Sequence, residues 1–178
     1  MRMGIVRQTR IDLMKQLPIS RVSNWLLAHR IVKDPSLEQA ITELKMAGKC
    51  YACPQDALTS YDFCRFLSAH FAGGERLLLQ TENSIFTGDD ELSLYTTYVT
   101  QAIDFDSEID KCALIFETKD DRYFVNILSM NIMFKWDCLL GAVNTQSLLL
   151  FSHDGLFWLL SNDVDLLRAL GDLGFLPR

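Results

Sequence analysis

The feature that most limits how this chain can fold is a change of pattern at Gly73-Gly74. Before that point apolar residues recur with a helical period; after it, short β-rich runs alternate with turn residues. Arg21–Lys33 carries Val22, Trp25, Leu26, His29 and Ile31-Val32 at helix-like spacing. Asp34-Pro35 offers an N-cap and a first-turn proline for a second helix bearing Leu37, Ile41 and Leu44, with Gly48 as its stop. A third helix is expected from Gln55 or Asp56 to Phe71, on Leu58, Phe63, Phe66, Leu67 and Phe71.

Strands are expected at Arg76–Thr81 and Leu92–Thr100. Two hairpins are predicted, one joining Ala113–Thr118 to Tyr123–Ser129 through Lys119–Arg122, the other joining Ser147–Ser152 to Leu156–Ser161 through His153-Asp154-Gly155. Ile132–Val143 fits either a helical stripe or an extension of the preceding strand. Ser161-Asn162-Asp163 caps a last helix with Val164, Leu166, Leu167 and Leu170, followed by Gly171. Helices followed by strands imply a single α+β domain over 1–178, helical over 1–72 and sheet-rich over 73–178, with a mainly antiparallel sheet and a C-terminal helix. At 178 residues and 49% hydrophobic content, such a domain buries a core without disulfides.

The N-terminal residues show no apolar core of signal-peptide length, and no run approaches the roughly 18 apolar residues of a membrane span. The five cysteines are odd in number and scattered, which fits reduced thiols and a cytoplasmic location with no membrane partner.

Charge is unevenly distributed. Residues 1–50 hold nine Lys/Arg and four Asp/Glu, a net of +5, while residues 51–178 hold eight and nineteen, a net of −11. Between Glu82 and Asp121 eleven acids (Glu82, Asp89, Asp90, Glu91, Asp104, Asp106, Glu108, Asp110, Glu117, Asp120 and Asp121) face only Lys111 and Lys119. A field of that kind disfavours nucleic acid and steers a basic partner, provided that the acids share a face; otherwise they form a solvated surface.

Motifs for catalysis or metal binding fall short of their requirements. Cys50-Tyr51-Ala52-Cys53-Pro54 lacks the preceding strand of a redox site and reads as two ordinary loop cysteines. Recruiting Cys64 and His70 for zinc fails because they sit six residues apart on one expected helix, about 120° around its axis. Asp104-x-Asp106-x-Glu108-x-Asp110 begins like a calcium loop but has Ile109 and Ile115 where glycine and glutamate belong. In an extended chain the same acids form a ridge, with Phe105, Ser107 and Ile109 on the other side. His29, His70 and His153 accompany no nucleophile motif, and phosphate-loop and His-Glu-x-x-His patterns are missing from the sequence. No enzyme activity, metal or cofactor is therefore expected. A helix-turn-helix using Arg21, Arg30, Lys33, Lys45 and Lys49 is the nucleic-acid alternative, opposed by the net charge of −6.

The acidic stretch Glu82–Asp121, with the expected hairpins around Asp120 and Asp154, resembles in general character the small acidic immunity proteins that bacteria make against nuclease toxins. The resemblance implies a non-catalytic inhibitor that masks the active or substrate-binding surface of a basic toxin domain, one to one. Its contact residues would be Glu82, Asp89, Asp90, Glu91, Asp104, Asp106, Glu108, Asp110, Asp120 and Asp121, with Tyr95, Tyr98, Phe105 and Tyr123 as aromatic anchors. Acidic secretion chaperones share these features and are the protein-binding alternative.

Overall fold

The computed structural model describes residues 15–81 and 112–178. Its elements run β1 (Lys15–Pro18), α1 (Ile19–Ala28), α2 (Leu37–Ala47), β2 (Lys49–Ala52), α3 (Ala57–His70), β3 (Arg76–Gln80), β4 (Cys112–Phe116), a 3-10 turn (Thr118–Asp120), α4 (Asp121–Met133), β5 (Cys138–Ala142), β6 (Ser147–Ser152), β7 (Leu156–Leu160) and α5 (Val164–Asp172). This is an α+β fold with helices early and a helix at the end, as the pattern change implies. The seven strands form one antiparallel sheet in the order β1-β4-β3-β5-β6-β7-β2. Two short strands inside the helical part, β1 and β2, were not expected; they supply the two edges of the sheet.

Side-chain alternation along the strands divides the core into two layers. Leu78, Leu114, Leu140, Leu149, Phe151, Phe157 and Leu159 face α3, α4 and α5. Leu77, Leu79, Leu139, Leu148 and Leu150 face α1 and α2. Every residue of β5 and β6 is buried, because both faces of these central strands carry helices. Phe157 is fully buried at the centre of an aromatic group, with ring centroids 5.0 Å from Tyr51, 5.3 Å from Phe63 and 5.6 Å from Phe151.

The hairpin of β6 and β7 forms at the expected place, with Leu148 opposite Leu160 and Ser152 opposite Leu156. The other expected hairpin does not. Tyr123–Ser129 is the middle of α4, so β4 is followed by a 3-10 turn and a helix instead of a strand. The reason is visible in burial: Phe124, Ile127, Leu128, Asn131 and Ile132 recur at steps of three and four, and that stripe lies against α3 and the sheet. A run rich in β-formers is overridden by helical periodicity once a neighbour exists to cover it. Ile132–Val143 follows neither expected alternative: α4 ends at Met133, and Cys138–Ala142 forms a separate strand, β5, with no preceding strand to extend. The expected strand Leu92–Thr100 lies outside the described residues.

Helix ends differ from expectation in instructive ways. α2 is capped by Ser36, whose hydroxyl accepts from Gln39 N–H, while Asp34 accepts from Ser36 N–H. Asp56 and Asp163 cap α3 and α5 as expected, and Gly48 follows α2. α5, however, continues through Gly171 to Asp172. α1 stops five residues short of Lys33, because Arg30 adopts φ 58°: its N–H donates to Leu27 C=O and the next N–H, of Ile31, to Leu26 C=O. That is a Schellman ending with arginine where glycine usually stands. Lys135 (φ 56°) ends α4 in the same way, with bonds to Ile132 and Asn131, and Gly174 ends α5.

Candidate interaction surface

The described acids of the stretch Glu82–Asp121 gather at the end of the sheet where β3 begins. Arg76, the first residue of β3, points toward α3 and α4 and is fully buried. A buried guanidinium requires partners. It donates to Ser68 Oγ (3.1 Å) and to the Glu117 carbonyl (2.6 Å), pairs with Asp121 (2.6 Å), and lies 4.5 Å from the Phe124 ring centroid.

Glu117 in turn meets Lys15 at 2.7 Å and Lys119 at 3.5 Å, and Lys15 also reaches Glu75 at 3.1 Å. The hydrogen bond from Lys15 holds the Glu117 carboxyl below the usual carboxylate range. Asp120 is 1% exposed, and one of its carboxylate oxygens accepts from Glu117 N–H while the other has no partner. Burial pushes its pKa up. Tyr123 is half-buried against the core. Of the expected contact residues in this region, Asp120 therefore faces inward, Asp121 neutralises a buried arginine, and Tyr123 packs against its own helix layer.

Glu82, Asp89, Asp90, Glu91, Tyr95, Tyr98, Asp104, Phe105, Asp106, Glu108 and Asp110 lie outside the described residues. Their points of attachment do not. The chain passes into that segment after Thr81 and leaves it at Cys112, at the opposite end of the sheet from Arg76. There Thr81 N–H donates to the Asp137 carbonyl at 3.0 Å. The Asp137 carboxylate accepts from the backbone N–H of His153 and lies 3.0 Å from His153 Nδ1, and His153 Nε2 is 3.6 Å from Asp154. The described acids Glu117, Asp120 and Asp121 thus lie beyond the end of β4 opposite to Cys112.

Each of the three histidines faces a carboxylate on another element: His29 toward Glu75 (3.8 Å), His70 toward Asp163 (3.1 Å) and His153 toward Asp137. The Asp163 pair joins the last turn of α3 to the cap of α5. Cys50 lies on β2 and Cys53 just beyond it, which corrects the loop expected there. Burial pushes the Cys53 and Cys64 thiols up to about 12 and raises Cys138 as well. Such thiols are poor metal ligands and nucleophiles. Among the described residues, no three His, Cys, Asp or Glu side chains are grouped to hold a metal ion, and no helix is long and apolar enough to cross a membrane.

The expected helix-turn-helix basic set is dispersed: Arg21 is on α1, Arg30 and Lys33 on the connecting segment, Lys45 on α2 above Trp158 (5.5 Å) and Lys49 on strand β2. Sequence reading missed Arg76, because a single arginine opening an apolar run carries no sign that its partners are on three other elements. Compared with known proteins, the chain matches no family model, no curated protein sequence and no solved structure.

Proposed function

We propose that this chain is a non-catalytic cytoplasmic inhibitor that binds a basic protein partner, in the manner of bacterial immunity proteins that mask a nuclease-type toxin. The observation that supports this reading is the concentration of acidic residues along the sequence. Residues 82–111 hold eight acids and one lysine, a net of −7, and leave the rest of the chain at +1. Glu117 and Asp121 are engaged by Lys15, Lys119 and Arg76 at the end of the sheet where β3 begins, and Asp120 is buried. The contact surface is accordingly narrowed to Glu82, Asp89, Asp90, Glu91, Asp104, Asp106, Glu108 and Asp110, with Tyr95, Tyr98 and Phe105 as anchors. Charge on that scale accelerates encounter with a basic surface, and aromatic burial then sets the dissociation rate.

The test is affinity capture from the native host, followed by stopped-flow and calorimetric measurement on the purified partner. A folded basic polypeptide binding one to one is expected. Charge reversal at Asp104, Asp106 and Asp110 should slow association by about tenfold or more at low salt. Recovery of no basic polypeptide, or unchanged affinity and on-rate in the charge-reversed variant, would refute the reading. Capture of an unfolded secreted segment would favour a chaperone instead.

A further inference from the structure

Arg30 and Gln146, two of the three described non-glycine residues with positive φ (58° and 47°), line the same cavity. It lies over the α1/α2 face of the sheet, at the end away from Thr81, and has a volume of about 180 Å³. Left-handed backbone at a non-glycine residue is retained at an energetic cost, and such positions concentrate around binding sites.

The lining is of two kinds. Ile31, Val32, Leu148 and Leu160 form an apolar floor, all but Leu160 buried in the core of that face. The rest of the lining includes Arg30 and Lys33, one acid, Glu43, and Gln146 and Asn162, all of them exposed residues. Arg30, Lys33 and Glu43 make no ion pair with any described residue. This distinguishes them from Lys15, which pairs with Glu75 and Glu117, and from Arg76, which pairs with Asp121, at the same end of the sheet.

The occupant's chemistry follows by elimination. A simple carboxylate would suit the two cations but meet Glu43, and a simple amine would suit Glu43 but meet the two cations. A neutral apolar molecule would fill the floor and leave the charged lining unused. A cavity of about 150 Å³ accepts the six heavy atoms of benzene, so one of about 180 Å³ holds about seven, enough for a four-carbon side chain and the carbon that bears it, with the charged groups of the molecule at the open side. We propose that the cavity binds a free aliphatic α-amino acid, its side chain on Leu148 and Leu160, its carboxylate toward Arg30 and Lys33, and its ammonium toward Glu43. The site is separate from the acidic surface and does not depend on it.

Calorimetric titration of the full chain with L-leucine as the probe tests this, beside isocaproate, isopentylamine and glycine, which lack the ammonium, the carboxylate and the side chain. Saturable leucine binding is expected, with each analogue at least about tenfold weaker. Arg30→Gly keeps the left-handed backbone and removes the guanidinium, so reduced affinity with undiminished Tm separates lost recognition from lost folding. Arg30→Gly and Glu43→Gln should each weaken leucine about tenfold, whereas Glu43→Gln should not weaken isocaproate. No leucine binding up to about 10 mM, analogues that bind as well as leucine, or variants that bind leucine as the parent does would each overturn the proposal.

Discussion

Arg76 Nη1 stands 2.6 Å from Asp121 Oδ1, tying the first residue of β3 to the first residue of α4. The guanidinium is fully buried whereas the Asp121 side chain is 42% exposed, so removing the acid leaves a charge in the core that water reaches poorly. Breaking a buried pair costs about 3–5 kcal/mol, and the exposure of Asp121 reduces this. Asp121→Ala should therefore cost about 2 kcal/mol in urea denaturation. Combining it with Arg76→Met should cost less than the two single losses together. Additive losses would show that the pair is not coupled.

Asp120 and Asp163 should respond to pH in opposite senses. Burial raises the Asp120 pKa above its ordinary 3.8, so folding favours the protonated acid; its stabilising effect is present at low pH and lost as pH rises through the folded value. The backbone N–H of Leu166, foremost among several bonds, lowers the Asp163 pKa, so its contribution is present above the ordinary value and lost as pH falls. Across about pH 3 to 7, Asp120→Asn should gain on the parent as pH rises, and Asp163→Asn should fall further behind it. Chemical denaturation at each pH reads both, and pH-independent differences would contradict the assignment.

The Schellman endings at Arg30 and Lys135 carry side chains where glycine is unstrained. Arg30→Gly and Lys135→Gly should each stabilise by about 1 kcal/mol, or about 2–4 °C in Tm for a chain of this size. Gly174→Ala, at φ 85°, should destabilise by a similar amount. Thermal unfolding of the three variants decides this; a lower Tm for both glycine variants would mean that the left-handed residues are held by contacts of their own side chains.

Thiol chemistry should separate the cysteines. Cys53, Cys64 and Cys138 are buried with raised pKa values, whereas Cys50 on edge strand β2 is half-buried. Brief iodoacetamide treatment at about pH 8 should label Cys50 before Cys53, Cys64 and Cys138, which should react only on unfolding. Peptide mapping distinguishes them, and early labelling of Cys64 would show that the α3 layer opens readily.

Local signals were legible wherever the responsible atoms are a few residues apart. Asp56 and Asp163 cap their helices through N–H groups two or three residues ahead, and the hairpin of β6 and β7 is registered by its own short turn. Tyr123–Ser129 misled for the same reason: over seven residues, β-propensity outweighs a helical stripe that emerges only when Asn131 and Ile132 are included. β1 and β2 were hidden because four residues hold too little pattern, and each is a strand only by pairing with a distant one.

By itself the sequence determined the α+β class, with helices early and one at the end, and the segregation of charge, because these depend on composition and on neighbours along the chain. Tertiary structure alone decided that Glu117, Asp120 and Asp121 are engaged within the fold. Glu117, Asp120 and Asp121 sit in the same acidic run as Asp104 and Asp106, but Arg76 reaches the Glu117 carbonyl from 41 residues away and Lys15 reaches its carboxylate from the edge strand. Coulomb attraction and desolvation follow distance in space, and spacing along the chain does not encode it.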